Sequence, residues 1–232
     1  MKETIGDPSL NKWSEAELLE AARRDLGEDG ARLGEDLAAL RTWISKSPHL
    51  HSIRQDDGFL TAFLRGCKFS LERTKEKLDF HFTVKASLPV WFDNWDPRLP
   101  EMRTIIEAGL VAPLPGYDRH GRRVVVMRMG RQDPDTMRKD DLFKAVMMMM
   151  TAALDGDKQA LILGVVIVSD LQGMTLAKTV GMTPTLLKRA ATVQDGYPTR
   201  PKVYCIVKLR ERDRARGGTR KVTQRSFMDG GW

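Results

Sequence analysis

Residues 161–170 read Leu-Ile-Leu-Gly-Val-Val-Ile-Val-Ser-Asp, an apolar run that does not alternate with polar residues. It falls far short of the roughly 18 residues that span a bilayer. A strand this uniformly apolar needs cover on both faces, which is the situation of a central strand flanked by helices. The neighbouring segments fit that role. A β-branched run, Val124–Met127, follows the turn chemistry of Tyr117-Asp-Arg-His-Gly121, and Val203–Val207 reads as another buried strand. Between them, Asp140 and Asp141 start a helix through Leu142–Met150. Thr183-Pro184 starts another through Leu186, Leu187, Ala190 and Val193, with threonine as the cap and proline at the first helical position. Strand, helix, strand, helix, strand predicts an α/β fold with parallel pairing and crossover helices.

The first 90 residues predict a helical preface. Ser14-Glu-Ala-Glu17 is a capping box ahead of Leu18, Leu19, Ala22 and Leu26. A glycine-rich break, 27–34, leads to a second helix with Leu37, Leu40, Trp43 and Ile44 facing inward, ended by Pro48. Asp56 and Asp57 favour the start of a third helix carrying Phe59, Leu60, Phe63 and Leu64, with Gly66 as its stop. Ser70 is placed to cap a fourth, on which Leu71, Thr74, Leu78, Phe82 and Lys85 recur at intervals of three or four. Pro89, Pro97 and Pro100 mark a loop and a short helix ending near Gly109.

The net charge of +7 is mostly local: residues 208–232 hold eight basic and three acidic side chains, leaving +2 for the rest of the 232-residue chain. A nearly neutral body does not fit a dedicated nucleic-acid binder, and the tail reads as a basic, disordered extension. Cys67 and Cys205 stand far apart in a sequence with no evident signal or transit segment, so reduced thiols and a cytoplasmic protein are expected. A monomer is expected as well. The four histidines are scattered, and no Walker loop, Gly-x-Ser-x-Gly or Cys-x-x-Cys occurs. No metal, cofactor or catalytic group is expected; Asp170, ending the central strand, is the one acid against which an enzymatic reading would be tested.

Val146-Met-Met-Met-Met150 puts five apolar residues in a row on a helix, more than one packed face needs. On these residues alone the run is either core against the sheet or the adaptable wall of an apolar cavity.

Four segments, in order, resemble the CRAL-TRIO lipid-binding family. Asp57-Gly-Phe-Leu-Thr-Ala-Phe-Leu-Arg-Gly-Cys-Lys-Phe69 is similar to its N-terminal helical motif, with Cys67 in place of a basic residue. Leu114-Pro-Gly-Tyr-Asp-Arg-His-Gly-Arg-Arg-Val-Val-Val126 resembles the first hairpin of the lipid-binding domain. Val165-Val-Ile-Val-Ser-Asp-Leu-Gln-Gly-Met174 resembles its central strand, and Thr183-Pro184 to Tyr197-Pro198 the next helix and its exit. The resemblance is greatest to the branch holding alpha-tocopherol transfer and retinaldehyde-binding proteins, and it places a helical region at 1–90, a partial lipid-binding domain at 91–207 and a foreign tail at 208–232.

The resemblance implies a carrier that holds a hydrophobic ligand and moves it between membranes. Phe143, Val146, Met147 and Met150 would line the cavity from one helix, Val166 and Val168 from the central strand, and Met182, Leu186, Leu187 and Ala190 from a further side. A phosphoinositide-containing membrane surface would be engaged transiently through Arg200 and Lys202, with Arg65 and Lys68 from the helical motif. The family normally continues beyond Val207 with a gating helix, which residues 208–232 do not resemble. The alternative expectation is therefore a truncated, non-carrier product acting as a protein-interaction or regulatory module.

Overall fold

A computed structural model describes residues 9–207 and the backbone of 223–226. The helical region is built on its caps. Helix α1 (Glu15–Leu26) starts with Glu17 donating its amide to the Ser14 hydroxyl while the Glu17 carboxylate accepts from the Ser14 amide at 2.7 Å. Gly27, at φ +74°, closes it in the left-handed region. After α2 (Leu33–Ser45), the Asp56 carboxylate caps α3 (Asp57–Gly66) through the Phe59 amide. Helix α4 (Leu71–Ser87) differs from expectation at its start. Ser70 holds the cap position without a side-chain capping bond, and the Thr74 hydroxyl donates back to the Ser70 carbonyl. Leu37, Leu40, Ile44, Leu60, Phe63, Leu64 and Leu78 form the shared core of α2 to α4. Two short helices, α5 (Pro89–Phe92) and α6 (Pro100–Glu107), lead to the sheet.

The sheet has five strands in sequence order. Strands β1 (Val111–Tyr117) and β2 (Arg123–Arg128) form an antiparallel hairpin. Asp118 organises its turn by accepting from the amides of His120 and Arg122 and from the Arg122 guanidinium. A long crossover through α7 (Lys139–Leu154) and α8 (Lys158–Leu163) returns the chain to β3 (Val165–Asp170), parallel to β2. A second crossover, α9 (Leu176–Thr179) and α10 (Pro184–Gly196), leads to β4 (Pro201–Val207), parallel to β3. The Thr183 hydroxyl caps α10 as expected, accepting from Leu186. The parallel core of an α/β fold and the helical preface are both present.

The register sorts the strand residues by face. Val125, Ile167 and Tyr204 lie side by side, as do Val124, Val166 and Val203 one residue earlier, so the two sets point to opposite faces. The first set packs against α7.

The expected strand from Leu161 is corrected at its start. Residues 161–163 are the last turn of α8, because the Asp157 carboxylate caps that helix at Ala160 and Gly164, at φ +96°, breaks it before the strand. The expectation of a disordered tail lies outside the described residues except at β5 (Thr223–Ser226), which pairs antiparallel with β4.

Beyond the ends of β2 and β3, Gly130 lies so close to Gln172 that a Cβ there would overlap the Gln172 carbonyl. Gly130→Ala is expected to destabilise the chain by about 1–3 kcal/mol, as overpacking against backbone does. Urea denaturation checks this, and an unchanged midpoint would mean the two loops can separate freely.

Candidate functional site

A cavity of about 610 Å³ opens between α7, the sheet and the helical region. Its origin lies in the all-round apolar character of α7. Ala145 is fully buried toward α6, while Val146, Met147 and Met150 project toward the sheet face carrying Met127, Val165 and Ile167. The opposite wall comes from Phe59 and Phe63 of α3 and from His81 and Lys85 of α4, with Trp95 and Tyr197 at the sides. Thr151 donates to the Tyr197 hydroxyl at 3.3 Å, a polar point on a largely apolar lining.

Most charges on this wall are matched. Arg54 pairs with Asp56 and with Asp155, Arg65 with Glu28, and Lys158 with Glu15. His81 is buried, with Nδ1 3.1 Å from the Gly196 carbonyl and its ring edge-on to Phe63, Phe82 and Tyr197. Burial, with Lys85 and Lys77 nearby, lowers its pKa to about 3, so the ring is neutral, and the carbonyl requires the proton to sit on Nδ1.

The residues expected to line a cavity separate into groups. Val146, Met147 and Met150 stand in its wall. Val166 and Val168 do not. Alternation along β3 gives the wall to Val165 and Ile167 instead, a phase that a continuous apolar run leaves open. Phe143 stacks on Trp91 with centroids 4.9 Å apart, in an adjacent cluster with Met182, Leu186 and Ala190. Leu187 is 52% exposed.

A second, basic pocket lies where α1, the hairpin turn and the start of β4 meet. Arg24, Lys68, Arg119, Arg122, Arg200 and Lys202 line it, with Asp25 the one carboxylate among them. Arg24 holds the Asp25 carboxyl below its usual range, and Arg200 and Lys202 add to the effect. The Arg200 guanidinium donates to the Ile162 carbonyl at 3.0 Å, which fixes it beside the end of α8. Of the four cations expected to act together, Lys68, Arg200 and Lys202 share this pocket. Arg65 does not: its guanidinium donates twice to Glu28, at 2.7 and 2.8 Å, with both side chains buried.

Comparison with known families agrees with this architecture. Residues 29–102 match the model of a Pinta-like UBA domain, and residues 107–209 match the CRAL/TRIO domain. Residues 107–209 are a CRAL/TRIO domain. The human alpha-tocopherol transfer protein-like protein is 28% identical over 192 residues, covering 82% of this chain and 55% of its own length. Rat clavesin-2 is 25% identical over 185 residues, covering 79% and 56%. The chain thus spans about half the length of the curated relatives it matches. Among the described residues, no helix is long and apolar enough to cross a membrane, and no cluster of three or more His, Cys, Asp or Glu could hold a metal ion.

The contribution of the helical region to the CRAL/TRIO cavity was not foreseen in the sequence. Phe59 and Phe63 stand one helical turn apart within the motif at 57–69, and Lys85 continues the apolar spacing of α4. Those signals were legible, but the long-range packing of α3 and α4 beside the CRAL/TRIO sheet was not.

Proposed function

We propose that this chain holds one lipophilic molecule in the cavity and transfers it between membranes, with the basic pocket docking weakly to phosphoinositide headgroups. The observation that carries the reading is a methionine-walled apolar cavity of about 610 Å³ at the sheet face of a CRAL/TRIO domain. That volume lies within the range of small-molecule sites. Each methylene taken from water into such a wall contributes about 0.8 kcal/mol, so a long apolar chain partitions inward without covalent chemistry. Methionine side chains adapt to the shape of what enters. The tocopherol-transfer name borne by one relative supports the same class of cargo.

For docking, Lys68, Arg200 and Lys202 offer positive charge on one surface. Each contributes on the order of 1 kcal/mol near an anionic membrane, which gives attachment that is readily reversed.

The test is transfer of a fluorescent long-chain alcohol from phosphatidylcholine donor vesicles to acceptor vesicles with or without phosphatidylinositol bisphosphate. Met150→Arg, which puts an unpaired charge in the wall, is expected to slow transfer about tenfold or more on both acceptors. Arg200→Glu with Lys202→Glu is expected to remove only the gain due to the phosphoinositide. Transfer indifferent to Met150→Arg would overturn the cavity reading, and a gain indifferent to the double variant would overturn the docking reading.

A further inference from the structure

Lys85 differs from the other cations on the cavity wall. Arg54, Arg65 and Lys158 each have a carboxylate partner. Lys85 forms no ion pair or hydrogen bond among the described residues. Its ammonium sits among three rings, 5.7 Å from the Phe82 centroid, 5.4 Å from Phe92 and 5.5 Å from Trp95. Rings hold a cation in place through their negative faces, but they carry no net charge to neutralise it. Its neighbour on the wall one turn earlier, His81, is neutral.

We propose that Lys85 is the headgroup-recognising residue of this cavity, pairing with the carboxylate of a long-chain fatty acid whose tail lies along the methionine wall. The inference rests on the reading of the cavity as a lipid site and adds the chemical class of the ligand. Desolvation lowers the pKa of the Lys85 ammonium and no carboxylate among the described residues offsets it, so a ligand carboxylate would supply the countercharge that its place among the three rings lacks. A single cation matches a singly charged acid. A phosphate monoester carries more charge and would call for further unpaired cations, which the wall does not offer among the described residues. The cage of Phe82, Phe92 and Trp95 restricts the lysine, so less side-chain freedom is lost when the ion pair forms.

The experiment compares palmitate with methyl palmitate, which shares its length but lacks its charge, by displacement of a fluorescent long-chain alcohol from the full chain at pH 7.4. Palmitate is expected to bind about tenfold tighter than the ester, the scale of one charge-assisted hydrogen bond in a partly dry site. Lys85→Met should abolish that difference while leaving the ester's affinity within about twofold, and Lys85→Arg should retain it. Ester binding with palmitate no tighter, in the unmodified chain, would overturn the role of Lys85 and leave the lipid cavity standing. Loss of both ligands equally in a folded Lys85→Met chain would do the same. Absence of binding by either ligand and by the alcohol would overturn the cavity reading itself.

Discussion

Replacing Arg65 with methionine is expected to cost about 3–5 kcal/mol of folding stability, the scale for removing one partner of a buried ion pair. The two side chains are only 9% and 7% exposed, and two hydrogen bonds join them. Arg65 lies in the last turn of α3, and Glu28 directly follows the left-handed glycine that ends α1, so the pair ties the start of the helical region to its middle. With methionine at 65, the buried Glu28 carboxylate is left without its charge partner, which is costly in a site with so little access to water. Chemical denaturation should show the loss as a lower midpoint at an unchanged slope. The double variant Glu28→Gln, Arg65→Met should recover much of it, since an uncharged amide is cheaper to bury than an orphaned carboxylate. Equal losses in the single and double variants would mean that packing of the arginine stem, and not the pair, provides the stabilisation.

The second large effect is a dependence on pH centred on His81. Its pKa is about 3 in the folded chain against 6.5 for the free side chain. Between those values the unfolded chain binds a proton that the folded chain refuses, so stability is complete above about pH 6.5 and is lost as the pH falls toward 3. From pH 7.5 to 5.5 the loss assigned to this one group is about 1.4 kcal/mol, and each further unit removes a similar amount. Protonation would place a charge among Phe63, Phe82 and Tyr197 with Lys85 and Lys77 nearby. His81→Gln gives up the ring contacts but does not titrate. Its stability should therefore be lower at pH 7.5 and should fall less on acidification than that of the unmodified chain. Parallel pH profiles for the two chains would show that His81 is not the group responsible.

Much of the fold could be read from local chemistry. The Ser14 capping box, the Asp56 cap, the hairpin turn at 117–121 and the Thr183-Pro184 start are short-range signals, and each falls where its side chains place it. The boundary at 161–163 was not readable, because an apolar run of that length suits a buried helix end as well as a strand. The phase of β3 escaped for a related reason. When every residue from 165 to 168 is apolar, hydrophobicity cannot say which pair faces α7, and only pairing with β2 and β4 sets it. The far wall was hidden by distance. His81 meets Gly196 across 115 positions, a contact no local pattern encodes. The basic pocket was partly visible in Arg200 and Lys202, while Arg24, Arg119 and Arg122 join them only through tertiary packing.

The container is not the property of one segment. Its floor is the strand and α7 surface of the CRAL/TRIO domain, and its lid is made by α3 and α4, which belong to the region matched separately at 29–102. Any guest lodged there touches both and becomes a third member of the joint, so occupancy adds to the cohesion of the two regions by mass action. On the proposed reading, filling and emptying the cavity would also tighten and loosen the seam between the helical region and the sheet.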